Sequence, residues 1–154
     1  MKVESGNLKD TGGSIVNSST YRLTFHIQHP TIPASEIEAS LSFPTRISQS
    51  SGARRKTKSG KILEGTYACT SIIFLLHRTP LKFEETPIEK KIEESIEKLD
   101  TDYLKTLANS GGKCSFIAGI YSDQNIAFSL DLRIIERLAA DKIGVKFDFY
   151  GGPE

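Results

Sequence analysis

Several stretches of the chain have the apolar spacing of strands. Alternation with a period of two predicts a strand over residues 21–28 with one buried face. Residues 67–76 are almost continuously apolar, which predicts a central strand covered on both faces. A polar turn separates residues 113–122 from residues 126–130, so these two segments predict a hairpin. Alternation returns over residues 145–150, which form the last predicted strand.

Three other stretches have the apolar spacing of helices. The first covers residues 34–41. The second is long and begins at Thr86-Pro87-Ile88-Glu89, where a Thr and a Glu three residues apart predict a capping box. This helix is expected to be either straight or kinked near Asp100. The third is expected to begin at Asp131 as its N-cap and to end with Gly144 as its C-terminal glycine.

Strands and helices thus follow one another in the order β-α-(β)-β-α-β-β-α-β. Because hairpins occur beside strand–helix–strand units, the order predicts the α+β class. The expected architecture is a single layer of mixed or mainly antiparallel sheet with helices packed on one face. We expect residues 1–20 to be a flexible N-terminal arm, with Ile15-Val16 alternatively pairing at a sheet edge. Residues 21–150 are expected to form a single α+β domain, and residues 151–154 a C-terminal tail.

Composition places few limits on function. The 154 residues fit one domain, and a net charge of +1 gives no overall bias toward nucleic acid or membranes. Residues 1–20 lack the apolar core of a signal peptide, and no stretch approaches the ~20 apolar residues of a membrane span. We therefore expect a cytoplasmic protein without a membrane partner.

The distribution of charge is more informative than its sum. The segment from residue 46 to residue 61 contains six basic and no acidic residues. It is predicted to be a solvated loop or to hold a short edge strand, and solubility or protection of a sheet edge would also explain its charge. If it binds a partner, the candidate residues are Arg46, Arg54, Arg55, Lys56, Lys58 and Lys61.

An acidic segment lies further along the chain. Residues 84–102 contain eight acidic residues against three lysines. A solvated helix face with pairs such as Glu94–Lys98 would account for this pattern. If the segment binds a basic partner instead, the candidate residues are Glu89, Glu93, Glu94 and Glu97.

No group of residues has the spacing of a catalytic or metal site. His26 and His29 are three apart on a predicted strand, so their side chains point to opposite faces. Cys69 and Cys114 lie in apolar stretches without an activating motif and are expected to be reduced thiols in the core. Asp131 is expected to cap a helix rather than to act as an acid or base. We therefore predict no catalytic residue, no metal and no cofactor.

Four features of the sequence resemble one known family. They are the opening strand Tyr21–Gln28, the helix exit Ile37-x-x-x-Leu41-x-x-Pro44-Thr45, a loop containing Gly52, and the closing segment Ile143–Tyr150. Together with the order of elements, they resemble the uncharacterised bacterial family called domain of unknown function 4279. That family tends to have a Trp at the start of the central strand, where this chain has Tyr67. The resemblance implies the fold and a bacterial protein like those of conflict systems, and it implies no activity.

Three functions follow as hypotheses. The leading one is a non-catalytic protein-binding domain, an immunity protein that binds and neutralises a cognate bacterial toxin through complementary charge. The second is a nucleic-acid-associated accessory domain that uses residues 46–61 to contact phosphates. The third is an enzyme of unrecognised type. The sequence leaves the oligomeric state open.

Overall fold

The computed structural model describes residues 19–152, which form eight strands and four helices. The strands are β1 (Thr20–His29), β2 (Thr45–Gln49), β3 (Arg54–Lys56), β4 (Ile62–Thr66), β5 (Thr70–Leu75), β6 (Leu81–Lys82), β7 (Lys113–Tyr121) and β8 (Ile143–Tyr150). The helices are α1 (Ala34–Ala39), α2 (Ile88–Ile96), α3 (Thr101–Asn109) and α4 (Leu132–Ala140). Residues 1–18 of the predicted N-terminal arm lie outside the described residues, as do residues 153–154 of the predicted C-terminal tail.

Six of the described strands form one mixed sheet in the order β2-β5-β1-β7-β8, with the short β6 paired to β1. Neighbouring strands are antiparallel except for β7 and β8, which are parallel. β3 and β4 form a separate antiparallel hairpin. The mixed sheet and its helices confirm the predicted α+β class.

The core lies on one face of the six-stranded sheet. Alternate strand residues point to that face, as the period of two requires. The buried strand residues are Tyr21, Leu23, Phe25, Ile27, Ile72, Phe74, Cys114, Phe116, Ala118, Ile120 and Ile143. They form one cluster with the buried helix residues Ala34, Ile37, Ile88, Ile92, Ile96, Leu104, Leu107, Ile134 and Leu138. The helices therefore cover this one face of the sheet.

The prediction that residues 67–76 are covered on both faces is wrong. The strand begins at Thr70, and burial alternates along it. Ile72 and Phe74 are buried, whereas Ile73 and Leu75 are half-buried. Because helices cover only one face of the sheet, the second face of even an inner strand stays partly open.

The predicted hairpin of residues 113–122 and 126–130 is also wrong. The first segment is β7, but the second forms no strand. β1 occupies one edge of β7 and β8 occupies the other, so no edge of β7 is left for residues 126–130. Their apolar side chains pack against the core instead, since Ile126, Phe128 and Leu130 all contact the buried cluster.

The long acidic helix divides into α2 and α3, with Asp100 as the N-cap of α3. The Asp100 carboxylate accepts a hydrogen bond from the Tyr103 N–H at 3.0 Å, which satisfies a donor that a new helix start would otherwise leave unpaired. The predicted capping box at Thr86 does not form, because Pro87 is the N-cap of α2 and no side chain of the described residues 19–152 caps it. The Glu89 carboxylate accepts instead from the Asp131 N–H at 2.7 Å.

α4 begins as predicted and ends differently. The Asp131 carboxylate accepts from the Ile134 N–H at 3.1 Å, which confirms its role as the N-cap. Gly144, the predicted C-terminal glycine, lies inside β8 instead. Lys142 takes the left-handed conformation with φ 57°, and its ammonium donates to the Asn109 side-chain oxygen at 2.6 Å. Lys142 thus adopts a backbone conformation that usually favours glycine, and its side chain contacts α3.

Alkaline pH is expected to destabilise the fold through Tyr21. Its hydroxyl donates to the Thr86 carbonyl at 2.9 Å, and burial, aided by the negative charge of Glu94, raises its pKa from 10.0 to about 12. The unfolded chain ionises this tyrosine first, so stability present below pH 10 is lost as the pH rises through about 12. Urea midpoints at pH 8 and pH 11 measure the loss. If a Tyr21→Phe chain lost as much stability between these two pH values as the native chain, the loss could not be assigned to Tyr21.

Candidate functional site

The basic segment contains a well-defined hairpin, which we call the basic hairpin (residues 54–66). Two backbone hydrogen bonds close its base: the Gly52 N–H donates to Tyr67 and the Tyr67 N–H donates to Ala53, each at 2.9 Å. The Thr57 N–H donates to the Lys61 carbonyl at 2.9 Å and closes the turn. These hydrogen bonds order the backbone of the hairpin, so the like charges that it carries have defined positions.

Tyr67 holds one strand of the basic hairpin from the side. Its hydroxyl accepts from the Lys56 N–H at 3.1 Å and donates to the Lys56 carbonyl at 3.3 Å. Gly65, with φ 84°, has a conformation that other residues adopt only with strain. An isolated two-stranded hairpin is marginally stable in water, so these anchors matter for its geometry.

Every residue of β3 and β4 is exposed. The hairpin therefore adds nothing to the core, and a structural role in packing does not explain its composition. Exposed apolar residues accompany its charges: 56% of Ile62 and 38% of Leu63 is accessible to solvent. Ile62 is the cross-strand partner of Lys56. At this position an apolar and a cationic side chain thus lie side by side.

All six predicted basic residues are placed on or beside the hairpin. Arg54, Arg55 and Lys56 form β3, Lys58 and Lys61 lie in the turn, and Arg46 lies in β2. All six side chains belong to exposed residues. Within residues 19–152, none of the six forms an ion pair with a carboxylate. Their charge is available to a partner.

A cleft of about 710 Å³ separates the hairpin from β2. Four of the six basic residues line it together with Tyr67: they are Arg46, Arg54, Lys56 and Lys58. Low-dielectric walls of one charge sign concentrate the electrostatic potential of a cleft, so this one attracts anionic groups.

The acidic candidate residues are used within the fold. Glu93 pairs with Arg133 at 2.8 Å, and Glu97 pairs with Arg137 at 2.5 Å. Both arginines belong to α4, and the N–H of its N-cap residue Asp131 donates to Glu89. α4 rather than the basic hairpin is therefore the ionic partner of α2. These contacts compensate the negative charge of α2 and join the two helices.

Glu94 is the fourth acidic candidate. Its carboxylate lies 4.0 Å from the Lys91 ammonium, so it pairs with this lysine rather than with Lys98 as predicted. The pair is only partly buried and contributes little to stability. That the acidic residues bind a partner stays a prediction.

The Cys114 thiol is poorly suited to act as a nucleophile. Burial raises the pKa of the Cys114 thiol to about 11, so the reactive thiolate is scarce at neutral pH. Both cysteines are free thiols, Cys114 buried and Cys69 half-buried. Within residues 19–152, no group of three or more His, Cys, Asp and Glu side chains is placed to hold a metal ion.

The two histidines of β1 are occupied by hydrogen bonds. His29 is buried, and its Nδ1 accepts from the N–H groups of Thr31 and Ile32 at 3.1 and 2.9 Å. His29 Nε2 consequently carries the ring proton and donates to the Ser110 hydroxyl at 3.0 Å. His26 bonds to Ser71 at 2.9 Å, and burial, followed by the charge of Lys146, lowers its pKa.

Sequence reasoning missed Tyr67, Ile62 and Leu63 as parts of the site. The signal was the Ser59-Gly60 turn between a basic triplet and an apolar pair, which is typical of a hairpin. Pairing these flanks places Ile62 beside Lys56, and the closing position of the hairpin then falls near Tyr67.

Comparison of the chain with protein-family models, with curated proteins and with solved structures finds no match. The resemblance to the domain of unknown function 4279 family stays a prediction. No helix among the described residues has both the length and the apolar character needed to span a bilayer.

Proposed function

We propose that this chain is a non-catalytic protein-binding domain, an immunity protein that neutralises a bacterial toxin in the cytoplasm. The basic hairpin and its cleft are the binding surface, and the partner presents an acidic surface with an apolar patch. The proposal is supported chiefly by one observation: six exposed cations without ion pairs within residues 19–152 lie on or next to a hairpin that also exposes Ile62 and Leu63.

The composition of this surface favours a protein over a phosphate backbone. Arginines mixed with apolar side chains are typical of protein interfaces. Phosphate contacts alone need only cations, and would gain nothing from an Ile62 that is 56% exposed. The long-range charge would steer the partner, while burial of Ile62 and Leu63 would slow its release. Coverage of the toxin surface would then block access of its substrate.

One observation favours nucleic acid as a second candidate. Tyr67 lines the cleft together with four cations, and an aromatic ring beside cations is the combination that binds single strands. In that case the cations would contact phosphates and the affinity would fall steeply with salt.

The decisive experiment mixes the full chain with the purified toxin encoded beside its gene, after nuclease treatment of both. We expect a stoichiometric complex, loss of toxin activity, and weaker binding at high salt. Labelled single-stranded RNA and DNA are titrated in parallel. Neither complex nor inhibition, together with salt-dependent binding of the labelled strands, would replace the immunity function with the nucleic-acid function. The Ile62→Ser chain distinguishes the two further, because only a protein partner should lose affinity.

A further inference from the structure

The outer edge of β8 is unpaired among the described residues. Within residues 19–152, β8 is the last strand of the sheet and pairs only with β7, on its inner side. It has eight residues, and its final aromatic side chains are exposed, Phe149 by 64% and Tyr150 by 49%. A long edge strand with exposed apolar residues is a template for pairing with another strand.

The backbone groups that are open on this edge can be identified. The Tyr150 carbonyl accepts from the Ser122 N–H at 3.1 Å, so it points inward along the β7 side. Backbone groups alternate in direction along a strand. The N–H and C=O groups of Val145, Phe147 and Phe149 therefore point outward, and a partner strand must bond to these residues.

Two antiparallel copies of β8 can meet this requirement around a two-fold axis at Phe147. Phe147 then bonds to Phe147 of the second copy, and Val145 bonds to Phe149. The intervening residues form the closer pairs that lack hydrogen bonds, in which side chains interact most strongly. In these pairs Lys146 lies opposite Asp148 twice, once on each side of the axis. The charges on the open edge of β8 thus match those on a second, antiparallel copy of the same edge.

The same two side chains already interact within one chain. The Lys146 ammonium lies 3.2 Å from the Asp148 carboxylate, and the lysine is largely exposed. Two such pairs brought together around the axis would form a group of four alternating charges. The ion pair within one chain therefore already holds both side chains on the face of β8 where the second copy would contact them.

The neighbouring alignments are electrostatically unfavourable. Moving the axis to Lys146 keeps the outward groups paired but places that lysine opposite its own copy. Moving it to Asp148 does the same with two carboxylates. Like charges directly opposite one another destabilise a strand pair. Of these three alignments, only the one centred on Phe147 pairs opposite charges, and it also places Tyr150 over Gly144, where no side chain stands in the way.

α4 extends the same surface above the sheet. Arg133 and Arg137 hold one flank of the helix against α2. The opposite flank, at helical spacing, carries Leu132, Ile135 and Ala139. Leu132 is 69% exposed and Ile135 is 49% exposed. This apolar stripe lies on the flank of α4 that faces away from α2. Because α4 packs on β8 and α2 packs on β1, that flank lies toward the β8 side of the sheet.

We propose that two copies of this chain associate through β8 in an antiparallel pair centred on Phe147, with the α4 stripes covering each other beside it. Lys146 and Asp148 flank Phe147, so a two-fold axis at Phe147 places each lysine opposite the aspartate of the second copy. An unrelated strand has no reason to carry the matching charges. β2 is the opposite edge of the sheet and adjoins the basic hairpin. The dimer would therefore leave both basic hairpins free.

The test is a charge exchange across the axis, followed by sedimentation equilibrium of the full chain. Lys146→Asp and Asp148→Lys should each raise the dimer dissociation constant by about tenfold or more, because each places like charges opposite one another. An equimolar mixture of the two variants should dimerise again, because the two carboxylates of the first variant then lie opposite the two lysines of the second. Lys113→Asp makes the same charge change as Lys146→Asp, but away from this edge, and should have no effect.

Three outcomes would overturn the proposal. The first is a native chain that stays monomeric at millimolar concentration. The second is a dimer that both single variants leave intact, since the interface would then lie elsewhere. The third is two folded monomeric variants that do not associate when mixed, with folding checked by circular dichroism. Partner binding by the basic hairpin is measured on the same variants, so the two proposals can fail separately.

Discussion

Arg54→Glu, Lys56→Glu and Lys58→Glu together are expected to weaken binding of the acidic partner about a thousandfold. Each substitution turns an attraction into a repulsion inside the cleft, and a loss of about 1.4 kcal/mol per contact is a factor of ten in affinity. All three residues are exposed and lack ion pairs within residues 19–152, so the change should leave the melting temperature nearly unaltered. Titration calorimetry at low and high salt measures the affinity.

The matched control reverses three other exposed lysines, Lys90, Lys98 and Lys113, to glutamate. The net charge then changes by the same amount, while the basic hairpin is untouched. We expect at most a few-fold loss of affinity through long-range steering. Equal losses in the two triple variants would show that only net charge matters and would remove the hairpin as the binding surface.

Phe25→Ala is expected to destabilise the fold by about 3–5 kcal/mol, the usual cost of emptying an aromatic site in a core. Phe25 is fully buried, and its ring lies 5.0 Å from that of Phe116 in a tilted arrangement. On its other side it pairs across the strands with Phe74. The side chain thus fills the middle of the sheet, where neighbours on both sides are fixed by the strand ladders and cannot close the cavity.

Urea unfolding with circular dichroism measures this loss, and Phe149→Ala serves as the control. Phe149 is 64% exposed, so its removal should cost less than about 1 kcal/mol in the monomer. A Phe25→Ala chain as stable as the control would mean that the core is not centred on β1.

The two proposed surfaces lie at opposite ends of the sheet. The basic hairpin connects β2 with β5 at one edge, and β8 forms the other edge. A dimer through β8 would therefore present two basic hairpins. If the partner is itself multivalent, linkage of two sites raises the apparent affinity without any new contact.

Local pattern determined much of this protein. Alternation of apolar residues predicted β1 and β8, and the Asp131 side chain before an apolar helical pattern predicted the start of α4. These features depend on neighbours within a few residues, because strand pleat and helix pitch repeat over short distances. The exposure of the cations at residues 46–61 was also predictable, since like charges cannot be buried without partners.

Tertiary structure decided the rest. Residues 126–130 have the composition of a strand, but β1 and β8 had already taken both edges of β7, which no local pattern records. Glu93 and Glu97 resembled a solvated acidic face until α4 brought arginines against them across forty residues of sequence. Tyr67 joined the cleft because hairpin pairing folded it back onto Lys56. In each case the outcome depends on which distant segment occupies a shared edge or face, and that competition is settled only when the whole chain packs.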